Sequence, residues 1–100
     1  MKPTLDAYTV AMPWYERDDF QQIWELAHDR DEMPSDYDTW HRNAVAVMNG
    51  WLARGRALEI VTIKPAEFLA WLKQTGLPNT AAVRLKFVEQ RADHQGHNVA

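Results

Sequence analysis

Carboxylates are the residues most able to do chemistry in this chain, and they crowd one stretch: Asp29, Asp31, Glu32, Asp36 and Asp38. Such a run invites comparison with a calcium loop. Read from Asp29, the fifth position is Met33, the sixth is Pro34 where the loop needs glycine, and the twelfth is Trp40 where it needs glutamate. The pattern fails as a cation loop. Asp18/Asp19 and Asp36/Asp38 have the spacing of acid–base pairs, but acidic pairs at a helix start serve the helix dipole. His94 and His97 stand three apart, with Asp93 the sole further ligand type nearby, and read as part of a polar tail. His28 and His41 read as surface or capping groups. Ser35 is the one serine and reads as a helix cap. The chain has no cysteine, which removes thiol catalysis, disulfides and thiolate zinc sites. No G-x-S-x-G, phosphate-cradling glycine loop or H-E-x-x-H occurs. The sequence therefore assigns no catalytic, cofactor-binding or metal-ligating residue and gives no sign of an enzyme.

Recognition chemistry has more to work with. Net charge is −3 over 100 residues. Nine acidic residues between Glu16 and Asp38 meet only Arg17 and Arg30, whereas the chain from Thr39 onward is net basic. Blocks of this kind steer encounter and orientation more than they set a fold. An acidic docking face at Asp29, Asp31 and Glu32 is one expectation. Trp14 and Tyr15, after Pro13 and before the first helix, form an aromatic pair of the kind that anchors interfaces. The other tryptophans fall on helical stripes and read as core. Arg54, Arg56, Lys64, Arg84 and Lys86 form the alternative, a basic footprint for nucleic acid. A sequence pI of about 5.7 argues against that partner.

These groups need a scaffold, and the clearest piece of it is residues 57–76. Leu58, Ile60, Val61, Thr62 and Ile63 form a β-branched strand run. Pro65 opens a helix, Phe68, Leu69 and Leu72 give its stripe, and Gly76 closes it. One strand needs a partner for its backbone groups. Leu5–Met12, stopped by Pro13, is the candidate within the chain; a second copy pairing through strand 57–63 is the other, and a homodimer is expected. Glu16–His28 reads as a helix with Phe20, Ile23, Trp24 and Ala27 inward. Ser35 caps a longer one to Ala53, with Tyr37, Trp40, Ala44, Val47, Met48, Trp51 and Leu52 as its stripe. Residues 81–92 read as a helix with Ala81, Leu85, Val88 and Ala92 inward. The alternation of Val83, Leu85 and Phe87 offers a strand instead, which would make 57–90 a βαβ unit.

The expected architecture is a helix-dominated α+β domain of three to four helices with a minimal two-stranded sheet. It spans residues 1–92, followed by a disordered polar tail at 93–100. No apolar run is long enough to cross a membrane. The amino terminus lacks the look of a secretory leader, so the cytoplasm is the expected location.

The stretches P-W-Y-E-R-D-D-F, P-S-D-Y-D-T-W and P-A-E-F-L-A-W-L-K-Q-T-G-L-P resemble a group of small bacterial proteins without established activity, over residues 13–92. The resemblance implies bacterial origin and a helical last segment, and it carries over no catalytic residue. The functional expectation is a protein–protein interaction or regulatory module. Nucleic-acid binding by the basic half and small-molecule or enzymatic use are the alternatives.

Overall fold

The computed structural model describes residues 9–97, with side chains described for 9–92. Along the chain run β1 (Thr9–Trp14), α1 (Arg17–Glu25), a single 3-10 turn (Arg30–Glu32), α2 (Tyr37–Ala53), β2 (Ala57–Thr62), α3 (Pro65–Thr75) and α4 (Ala81–His97). It is a helix-dominated α+β domain with a two-stranded sheet. The two strands are parallel, Thr9 opposite Ala57 through Trp14 opposite Thr62. Parallel strands need a crossover, here supplied by α1 and α2 together.

Strand 57–62 thus finds its partner within the chain, but the partner is shifted from the expected one. β1 runs through Pro13 to Trp14 instead of stopping at Met12. The ladder explains why. Ile63 N–H donates to the Trp14 carbonyl at 2.8 Å, so Trp14 faces β2 and its neighbour Pro13 faces away. Proline costs nothing where the strand edge has no donor to give. Leu5–Tyr8, the rest of the expected strand, lie outside the described residues.

Side chains alternate across the sheet. Ala11, Tyr15, Val61 and Ile63 meet Phe20, Ile23, Phe68, Phe87 and Val88 in the core. Phe68 lies 5.2 Å from Phe87, edge to face. Met12 and Trp14 point to the opposite face, where the Trp14 ring sits 5.1 Å from Trp40 of α2. The sheet is therefore packed between α2 and the remaining helices.

Helix ends follow local chemistry. Asp36, not Ser35, caps α2: its Oδ2 accepts from Thr39 N–H at 2.8 Å and its Oδ1 from the Thr39 hydroxyl at 2.9 Å. Those bonds, the backbone one first, hold its carboxyl below the usual range. Gly76 ends α3 at φ +73°, a left-handed conformation that suits glycine, with its N–H on the Leu72 carbonyl. Residues 81–92 are helical, so no βαβ unit forms at 57–90. The helix continues to His97, past the expected start of the tail at 93. The side chains of His94 and His97 lie outside the described ones. The buried face of α4 is Arg84, Phe87 and Val88, whereas Leu85, expected inward, is 39% exposed.

Truncation at Phe68, fully buried, should cost roughly 3–5 kcal/mol. Leu52→Ala on the exposed side of α2 should change stability by less than ~0.5 kcal/mol. Urea denaturation followed by circular dichroism checks both, and a large loss at Leu52 would misplace the core.

Candidate functional site

Two features stand apart from ordinary packing: a buried polar cluster and an open apolar groove. The cluster is built on Arg84, only 3% exposed. Its Nη2 donates to both Asp29 oxygens at 3.2 and 3.1 Å, and its Nη1 to Asn79 Oδ1 at 2.6 Å. Asn79 is buried too. Its side-chain amide N–H donates to the Ile23 carbonyl at 3.2 Å, and its main-chain carbonyl accepts from His28 N–H at 2.8 Å. Asp29 also accepts from Ala81 N–H at 2.9 Å, capping α4. Each donor and acceptor named here is matched, as a buried polar network requires. Tyr15 packs beside it. Burial pushes its phenol up to about 12; Arg84 opposes that shift and Asp29 adds to it.

This cluster revises two sequence expectations. Arg84 is no contact for nucleic acid, because it is enclosed and neutralised by Asp29. Tyr15 is no surface anchor, because it is 3% exposed. Burial also partly removes Asp29 from the docking face, leaving Asp31 and Glu32 exposed on the 3-10 turn. Trp14 is half-buried against Trp40 and His41. Lys64 is held by Glu16, which raises its pKa, Arg54 lies over the Trp51 ring at 5.5 Å, and Arg56 and Lys86 are exposed. The five basic candidates are thus split between buried, paired and solvent-facing positions. Among the described residues no three His, Cys, Asp or Glu are gathered as a metal would need.

The groove is where sequence reasoning stopped short. It holds about 380 Å³ between β1, α2 and α4, with Pro34 at one end. Val10, Ala11, Met12 and Pro13 all line it. Consecutive strand residues point to opposite faces, so a cavity touching four in a row meets the strand at its edge. Trp40, Ala44, Val47 and Trp51 form the α2 wall, and Leu85 stands on the α4 side. Asn43 is the one polar side chain in the lining. By the alternation fixed at Trp14, the outward backbone groups here are those of Thr9, Ala11 and Pro13. Among the described residues no hydrogen bond reaches the Ala11 N–H from this side.

A signal for the groove exists in the sequence. The apolar stripe of α2 runs its full length, yet only Ala44 is fully buried, and Val47 and Leu52 are 53% and 51% exposed. A small domain has too little partner surface to cover such a stripe. Comparison with protein-family models, curated proteins and solved structures finds no match.

Two outcomes test the cluster. Asp29→Ala strands a buried guanidinium and should cost roughly 3–5 kcal/mol, whereas the double variant with Arg84→Met should recover much of it. Equal losses in both would show that the pair is not coupled. For Tyr15, the folded-state pKa lies above the ordinary 10.0. The neutral phenol therefore contributes stability that is complete below pH 10 and is lost as pH rises to about 12. The loss should be roughly 2–3 kcal/mol and absent in Tyr15→Phe, read by denaturation at each pH.

Proposed function

We propose that this protein is a protein-docking module without catalytic activity, and that the groove along β1 is its binding site. The observation that carries the reading is the groove itself: apolar walls over a strand edge that, among the described residues, no second strand pairs. An apolar recess beside a strand edge offers a guest strand both main-chain partners and side-chain contacts. A small-molecule site would ask for convergent polar groups to orient its ligand, and here Asn43 stands alone among the side chains. A protein segment brings backbone groups of its own and meets the strand edge directly. The proposal keeps the bacterial, cytoplasmic setting expected from the sequence. Among the described residues no helix is long and apolar enough to cross a membrane.

A photo-crosslinking side chain placed at Val47, in the groove, should yield a discrete protein adduct in the native host. The same group at exposed Gln74 on α3 should yield none. Identical adduct patterns from the two positions would remove the groove from the reading.

A second association is favoured by β2. Its outward backbone groups belong to Leu58, Ile60 and Thr62, and the Ile60 side chain is 41% exposed. Pairing of this edge across a two-fold axis would join two sheets into one. Ile60 N–H points away from β1, so Ile60→Pro would spare the internal ladder while removing the outer donor. Light scattering should show a dimer for the native chain and a monomer for Ile60→Pro and Ile60→Lys. A monomer at every concentration of the native chain eliminates this pairing.

A further inference from the structure

We infer that the groove accepts an extended apolar segment of another protein, flanked by acidic residues, which adds to the outer edge of β1 as a third strand. This rests on the reading of the groove as a protein-docking site and specifies what docks. The backbone sets the first requirement. Ala11 presents an N–H and a carbonyl outward, Thr9 does the same one step earlier, and Pro13 presents a carbonyl only. A guest strand can therefore pair fully at Thr9 and Ala11 and donate once more at Pro13, where the ladder must end. Strand addition of this kind takes affinity from main-chain bonds and selectivity from alternate side chains.

The walls set the second requirement. One alternate set of guest side chains would meet Trp40, Ala44, Val47 and Trp51; the other would meet Leu85. Apart from Asn43 both walls are apolar, so the guest needs a mainly apolar run. The recess also selects for a slim guest.

Charge sets the third. Between Thr39 and Leu58, α2 and its C-terminal turn contain arginines and no acidic residue. Arg54 rests on Trp51, whose ring lines the groove. On the α4 side Lys86 is exposed, with Glu89 the one acidic residue between Ala81 and Ala92. At the far end, Asp31 and Glu32 lead into Pro34. Formal charge thus runs from positive near Trp51 to net negative around Pro34, where Asp31, Glu32, Asp36 and Asp38 outnumber Arg30 and Arg42, and the acidic flank of the guest belongs beside Arg54. Complementary charge of this sort sets orientation and encounter rate.

The test uses the full chain and synthetic peptides with a run of valine and isoleucine, ended by glutamates at either terminus. Binding is read by tryptophan fluorescence and by hydrogen exchange at the Ala11 amide. The acidic peptide should bind and slow Ala11 exchange by ~tenfold or more. Val47→Glu and Leu85→Glu, both at exposed positions, should weaken binding by ~tenfold or more with the far-ultraviolet spectrum unchanged. Arg54→Glu should weaken the acidic peptide and strengthen a lysine-ended one. N-methylation of alternate peptide amides should abolish binding for one parity and spare the other. Insensitivity to N-methylation at both parities would overturn strand addition. Equal binding of lysine-ended and glutamate-ended peptides would overturn the charge assignment. Slow Ala11 exchange in the chain alone would show the edge already occupied, by its own residues or a second copy, and would overturn the proposal. If Val47 crosslinks a partner in the host while no extended peptide binds, protein docking stands and this inference falls.

Discussion

A guanidinium enclosed by protein must be matched almost completely, because the cost of removing it from water exceeds what one contact returns. Arg84 meets that demand through Asp29 and Asn79, and the arrangement of the molecule follows from it. Asp29 lies just beyond α1, Asn79 just before α4, and the two are joined through one side chain of α4. The same carboxylate caps α4 at Ala81. One cluster therefore fixes where α1 ends, where α4 begins and how α4 lies over the sheet. Phe87 and Val88 follow Arg84 on that helix face and are delivered into the core with it. The ion pair and the cap at Ala81 together set this rotation of α4, with Leu85 on the outer side.

That orientation has a consequence on the other side of the sheet. With α4 turned toward Phe68 and Phe20, Leu85 is left at the β1 edge facing α2 across a gap. α2 itself is held at its N-terminal half, where Trp40 packs against Trp14, Tyr15 and Phe20 with centroid distances of 5.1, 4.8 and 5.9 Å. Among the described residues its second half borders the β1 edge and Leu85 across the groove. The groove is thus the unfilled space between one helix fixed by an ion pair and another fixed at one end by aromatic rings.

Much of this fold was legible in the sequence because its signals are local. Helical spacing located Phe20, Ile23 and Phe68 in the core, Pro65 and Gly76 bounded α3, and the strand at 57–62 was evident from its β-branched run. The misreadings each involve a long-range constraint. Pro13 looks like a terminator until the direction of its missing N–H is known, and that depends on which side β2 lies. Arg84 looks like surface until Asp29, distant in sequence, is beside it. The same ion pair decided the face of α4: on periodicity alone Leu85 and Ala81 were equally good inward residues. As for the site, the overlong stripe on α2 was visible, but its default reading is core, and only the missing cover turns it into a groove.

A two-stranded sheet has two open edges, and this one treats them differently. Beside Ile60, Val61 and Thr62 of β2 the flanking side chains include Glu67 and Arg91, paired at 3.2 Å in a polar hollow. Charged groups along an edge discourage another strand from joining it. Beside Val10–Pro13 of β1 the flanking groups are tryptophan, valine, alanine, leucine and Pro34, with Asn43 the uncharged polar exception, and Pro13 is the one local feature that limits pairing. An apolar strand entering from solvent loses hydration at either edge, but only along β1 does it bury its side chains against matching surface without displacing an ion pair. The physical asymmetry therefore ranks the two associations: docking along β1 has both ladder and apolar contact behind it, whereas pairing through β2 has the ladder and Ile60 alone.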